Sequence, residues 1–185
     1  MAIGVHDRHI PLGRTLHLVD IENLCGGPYA SFERLRRTVE AYQRALAVRL
    51  GDHVVMACNR GLLLDAGRAW PGVRLCAGNG PDGADLALLD AATTEYIGSH
   101  YDRVVIGSGD GIFAPRAYEL RLDGLVVAVV SLRRSLSPRL AAVAHLVREL
   151  VVDPELRPRN LDRGSHCACA LSVGCDTIEH TFASP

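Results

Sequence analysis

Lysine occurs nowhere in this chain: all 20 basic residues among the 185 are arginine. That absence argues against two kinds of phosphate chemistry. A P-loop needs its lysine on the β- and γ-phosphates. An aspartyl nucleophile at Asp20 would have no lysine as its usual charge partner, and the segment reads Asp20-Ile21-Glu22, with Glu at the third place. Arginine's planar fork suits phosphate, but a chain wholly without lysine also fits a GC-rich coding bias. No apolar run approaches the ~20 residues of a membrane span, and Met1 to Arg14 contains no apolar segment of the signal-peptide type. The expectation is a cytoplasmic protein with no membrane partner. An excess of either charge is lacking too: the net charge is -1, so any basic surface for nucleic acid has to be local.

Cysteine is present but not as a disulfide framework. Three of the six lie in apolar segments (Cys25, Cys58, Cys76) and three crowd near the end (Cys167, Cys169, Cys175), which reads as reduced thiols rather than a secreted scaffold. With 48% hydrophobic residues, the chain can bury one ample core. Residues 1–13 lack periodicity and read as a loosely held arm, 14–152 as the domain, and 153–185 as a disordered polar tail. His166, Cys167, Cys169, Cys175 and His180 in that tail are zinc-compatible donors in a spacing that matches no common module.

Within the domain, strands and helices alternate. Residues 15–19 read as a buried strand. A helix over 31–50 follows, capped by Ser31, with Phe32, Leu35, Val39, Tyr42 and Leu46 along one stripe. Strands at 54–58, 73–77, 103–107 and 125–130 alternate with helices at 61–69, 83–99, 110–122 and 136–151. The 83–99 helix is expected to face the core through Leu86, Leu89, Thr93 and Tyr96, and the last through Leu136, Leu140, Val143, Val147 and Leu150. This alternation predicts a three-layer α/β/α fold around a parallel sheet.

Three aspartates, Asp20, Asp85 and Asp110, stand where strand-like runs meet loops or helix starts. In a parallel sheet such places lie outside the carboxyl ends of the strands, where ligands bind. Carboxylates converging there would repel by roughly 3 kcal/mol per pair at ~5 Å and an effective dielectric of ~20, which a divalent cation would relieve. Each aspartate also has a plainer role available as a helix cap. Gly107-Ser108-Gly109-Asp110-Gly111 could cradle phosphate at a helix start, although it lacks the spacing of a dinucleotide fingerprint.

Taken together, Val19-Asp20-Ile21-Glu22-Asn23-Leu24, Gly83-Ala84-Asp85-Leu86-Ala87-Leu88-Leu89-Asp90-Ala91 and Ser108-Gly109-Asp110-Gly111-Ile112-Phe113-Ala114-Pro115 resemble the NYN domains, a PIN-like nuclease family that includes the LabA-type and limkain-type proteins. The resemblance runs from about Arg14 to Val151. It implies a Rossmann-like, five-stranded parallel sheet of order 3-2-1-4-5 and metal-dependent cleavage of RNA. Asp20, Asp85 and Asp110 match the metal-binding acids, and Asn23 and Ser108 the supporting polar positions; Mg²⁺ or Mn²⁺ is the implied cofactor, with no organic cofactor. One departure stands out. Many members carry an acid two residues after the match to Asp110, implying that the position faces the cleft, and here it is Ile112. Asp82, three residues before Asp85, and Glu22 are the nearest substitutes. Arg34, Arg36, Arg37, Arg60, Arg116, Arg133 and Arg134 are candidates for a phosphate track, although some can equally be solvated helix faces. The implied partner is RNA. A non-catalytic RNA-binding relative, an adaptor working through its Cys/His tail, and a homo-oligomer remain open.

Overall fold

The computed structural model describes residues 13–80, 82–94 and 97–152. The arm at 1–12, the tail from 153 with its cysteines and histidines, and Tyr96 lie outside the described residues.

β1 (Thr15–Asp20) is buried at every position and sits at the centre of the sheet. It pairs in parallel with β2 (His53–Asn59) on one side and β4 (Arg103–Gly107) on the other. β3 (Arg74–Gly78) continues beyond β2, and β5 (Val126–Ser131) and β6 (Leu146–Glu149) continue beyond β4. The order is therefore β3-β2-β1-β4-β5-β6, which is the expected order with a sixth strand added. Alternate residues of β1 feed two cores. Leu16 and Leu18 pack with Val104, Ile106, Val127 and Val129 under α4 (Gly83–Thr94) and α6 (Ala114–Leu122). Val19 joins Met56, Val105 and Val130 under α2 (Phe32–Leu46) and α3 (Leu63–Ala69). Helices on both faces are what such continuously apolar strands demand, and the fold is a Rossmann-like α/β/α sandwich.

α2 forms where its stripe places it. Ser31 Oγ accepts the Arg34 N–H at 3.2 Å, Leu35, Val39 and Tyr42 are buried, and the helix stops at Ala47, whose φ of 47° leaves the helical region. α4 differs from expectation in phase. Leu88, Ala91 and Ala92 face the core, while Leu86 is 56% exposed, Thr93 is exposed and Leu89 is only partly buried. The segment is apolar nearly all round, so spacing alone leaves its orientation open. A separate short helix, α5 (Ile97–His100), follows it.

The larger departure is at the end of the domain. Instead of one helix over 136–151, α7 (Pro138–Val143) is short and the chain turns into β6. Pro138 starts α7 at its first turn, where the missing N–H costs nothing. His145 then takes over the edge of β5: its N–H donates to Val127 O at 2.8 Å and its Nδ1 accepts the Val127 N–H at 3.1 Å. Pairing an otherwise bare edge outweighs another helical turn. Leu140 and Leu150 are buried as expected, but Val147 is 38% exposed.

A polar group is buried within this sheet. His17 is 2% exposed, with Nδ1 hydrogen-bonded to the Tyr42 hydroxyl at 3.0 Å and Nε2 at 3.7 Å from Asp52 Oδ2. Burial pulls its pKa down to about 4, against the opposing attraction of Asp52. The folded state thus holds fewer protons than the unfolded one between the two pKa values, so this contribution is complete above pH ~6.5 and is lost as pH falls through the folded value. Wild type should lose about 3 kcal/mol relative to His17→Gln as the pH drops from 6.5 to 4. Parallel denaturant titrations measure it, and a pH-independent difference would contradict the assignment.

Candidate functional site

Asp20 ends β1 and caps α1 (Ile21–Cys25). Its Oδ1 accepts the Asn23 N–H at 3.1 Å and its Oδ2 accepts the Ser108 hydroxyl at 3.1 Å, with only 4% of the residue exposed. Because β1 and β4 are neighbours, with Val19 opposite Gly107, Ser108 leaves β4 directly beside Asp20. The same hydroxyl accepts the Asp110 N–H at 3.2 Å, and Asn23 Oδ1 accepts the Gly109 N–H at 3.0 Å. Asp110 is itself exposed and takes the Ile112 N–H at 2.9 Å, capping a 3₁₀ turn at Gly111–Phe113. One serine thus ties the buried and the exposed aspartate together.

Backbone contact that only glycine permits sets this loop and the next. A Cβ on Gly109 would stand 2.2 Å from Ser135 O, and one on Gly78 would stand 1.8 Å from the Gly83 carbonyl carbon. The second contact clamps the end of β3 against the start of α4, which delivers Asp85 in the helix's first turn. Asp85 lies within the electrostatic reach of Asp20, and its Oδ1 is buried with no partner. Burial first, then the neighbouring Asp20 and the charges of Asp110 and Asp82, raise the Asp85 pKa to about 7. Asp20 is also raised, by burial, against the donors Asn23 and Ser108. Two carboxyls that interact so closely titrate as a pair.

These residues line a cleft of about 370 Å³ bearing five carboxylates: Asp20, Glu22, Asp82, Asp85 and Asp110. Asp82 lies just outside α4, at a φ of 57°. Among the described residues no three His, Cys, Asp or Glu side chains form a ready-made metal cage. The donor set still fits Mg²⁺ or Mn²⁺. It is all oxygen, it includes one oxygen without a partner and an exposed Asp110, and such ions take a few carboxylates while keeping several waters.

Sequence reasoning missed Asn59 and Ser135, both in the cleft wall. Asn59 N–H donates to Glu22 Oε1, its Nδ2 donates to Pro28 O at 3.1 Å, and its Oδ1 caps the 3₁₀ turn Arg60–Leu62. A strand-ending Asn before Arg-Gly was the available signal; Ser135 had none, because its place depends on a contact with Gly109 far away in sequence. Of the candidate arginines, Arg60 and Arg133 are exposed on turns after β2 and β5, as is Arg134. Arg34 is half-buried, with Nε donating to Cys25 O at 3.4 Å. Arg36 and Arg37 pair with Glu33 on the surface of α2. Arg116 bonds Glu119 at 2.9 Å and Ala92 O at 2.6 Å, stapling α6 to α4. None of the candidate arginines lines the cleft itself. Ile112 corrects a further expectation: it is partly buried against the core under α4 and α6 and is not part of the cleft wall.

Two outcomes follow. The Asp85 carboxyl is protonated more readily folded than unfolded, so its stabilising contribution is complete below pH ~4 and lost as pH rises through about 7. Without metal, Asp85→Asn should therefore be more stable than wild type at pH 8 by about 1–2 kcal/mol, discounted for half exposure, with the gain vanishing near pH 4; a loss at pH 8 would refute it. Ile112→Asp should cost about 2 kcal/mol in chemical denaturation by setting a charge against the core, whereas unchanged stability would place residue 112 at the cleft.

No family model matches this chain, and no curated protein matches it. Among solved structures, it resembles a Vibrio parahaemolyticus protein of unknown function, with a TM-score of 0.54 and 18% identity over 75% of this chain and 93% of that one. The likeness is one of fold, in keeping with an open parallel sheet flanked by helices.

Proposed function

We propose that the chain is a metal-dependent ribonuclease of the NYN type, hydrolysing RNA phosphodiester bonds in the five-carboxylate cleft. The observation that carries this reading is the Asp20–Asp85 pair at the carboxyl end of the sheet, Asp20 buried and Asp85 half-buried with one oxygen unpartnered, because a repelling acid pair is retained at such a place when a cation is to be held. The resemblance of the three aspartate segments to NYN domains supplies RNA as the substrate.

Asp20 cannot swing away, since both its oxygens are engaged by Asn23 and Ser108. Asp110 is fixed by its cap and by Ser108 while remaining open to solvent. Asp85 is delivered to the cleft by the first turn of α4. Mg²⁺ or Mn²⁺ held by Asp20, Asp85 and Asp110 would polarise the phosphate and lower the pKa of a water. All three carboxyls have to be ionised to act as ligands. Arg60, Arg133 and Arg134, exposed on the turns at the same end of the sheet, offer forks for neighbouring phosphates. Among the described residues no helix is long and apolar enough to cross a membrane.

A second reading has its own observation. Ile112 packs on the core and the position supplies no acid to the cleft, so the same site would bind RNA without turning it over. Incubating the protein with mixed RNAs in Mn²⁺, Mg²⁺ or EDTA separates the two. The first predicts metal-dependent products, abolished by EDTA and reduced at least ~100-fold by Asp110→Asn, more than a supporting partner contributes. Binding without cleavage in every metal would favour the second, and equal cleavage by Asp110→Asn would reject the mechanism. The variant should fold, as Asn also caps.

A further inference from the structure

The acid cleft continues into a second groove of about 820 Å³, with Glu22, Pro28, Asn59, Gly80 and Asp82 common to both. Its remaining wall is of another chemistry: Tyr29, Ala30 and Leu62 are apolar. Tyr29 is 96% exposed, and the backbone on either side of it is hydrogen-bonded. The carbonyl before it, Pro28 O, accepts Asn59 Nδ2 at 3.1 Å, and two residues after it Ser31 caps α2. A flat aromatic ring is therefore presented to solvent beside a site lined with acids. Arg60, exposed, lies between the groove residues Asn59 and Gly61.

We infer that this groove is a nucleobase subsite, in which Tyr29 stacks on an unpaired base next to the phosphate at the acid cleft while Arg60 meets the adjoining phosphate, so that the ligand is single-stranded RNA. The inference rests on the phosphodiester reading of the cleft for the phosphate it places there. The base is argued separately, from the exposed ring, the apolar wall and a volume that suits a nucleotide-sized group. Stacking on an aromatic ring needs a free base face, and in a duplex each face is already covered by its neighbours while the bases are held inside the helix. Strand pairing therefore excludes the contact, and Tyr29 becomes a determinant of specificity.

The test is fluorescence anisotropy of the full chain with a labelled RNA 12-mer, as a single strand, as a duplex, and as a single strand with abasic positions. It is run in Ca²⁺, with cleavage in Mn²⁺ measured separately. Wild type should bind the intact single strand about ten-fold more tightly than the duplex or the abasic strand, as expected from loss of one stacked base. Tyr29→Ala should lose about ten-fold on the intact strand and little on the abasic one, Tyr29→Trp should retain binding, and all three proteins should melt alike. Equal binding of the intact strand by wild type and Tyr29→Ala overturns the subsite, as does tighter binding of the duplex. Tyr29-dependent binding with no cleavage in Mn²⁺ keeps the subsite and removes the ribonuclease reading. Cleavage by wild type with no dependence on Tyr29 does the reverse, and no binding to any of the RNAs removes both.

Discussion

Asp20 and Asp85 meet at the carboxyl end of a parallel sheet closely enough for each to shift the other's titration, and two carboxyls so placed cannot both ionise cheaply. At ~5 Å and an effective dielectric of ~20 the repulsion is about 3 kcal/mol, a sizeable fraction of the stability of an ordinary domain. The protein alone eases this by drawing a proton to the pair more strongly than a free carboxyl does. Much of the local structure serves to keep the two acids together despite that cost.

The chain supplies this restraint from four segments that are distant in sequence. β1 and β4 pair side by side, which puts Ser108 within reach of Asp20. Asn23 answers from α1 by accepting the Gly109 N–H, and Gly109 is pressed against Ser135 so closely that no side chain fits. The Gly78–Gly83 contact brings α4 in from the other side. A cleft built from hydrogen-bonded strand ends and glycine contacts is rigid where a site on free loops would not be, and rigidity is what sustains an electrostatically unfavourable cluster.

The central strands and α2 were legible because their patterns are local: continuous apolar runs for the sheet, a three-four spacing and Ser31 for the helix. Asp20 and Asp110 were legible as acids at strand ends, and the structure gives Asn23 and Ser108 the hydrogen bonds that hold them. β6 was not legible, since Leu136, Leu140, Val143, Val147 and Leu150 fit a helix, and the competing attraction is the open edge of β5, which no local pattern reveals. Ile112 misled because a place defined by likeness to other chains does not fix which way a residue points; its neighbours Phe113 and Ala114 draw that turn onto the core. Arg37 and Arg116 were candidates for a phosphate track, and the structure engages them with Glu33, Glu119 and Ala92 O instead. The groove beside Tyr29 arises where the ends of α1, β2 and β3 meet, and no single stretch of sequence contains it.

The central claim is that the acid pair is a cation site, and calorimetric titration of Mn²⁺ into wild type and Asp85→Asn at pH 8 tests it most directly. The account predicts saturable binding to wild type, weakened at least ~ten-fold in the folded variant by loss of a ligating carboxylate. Saturable binding of equal affinity in both proteins, or no saturable binding to wild type, would contradict it.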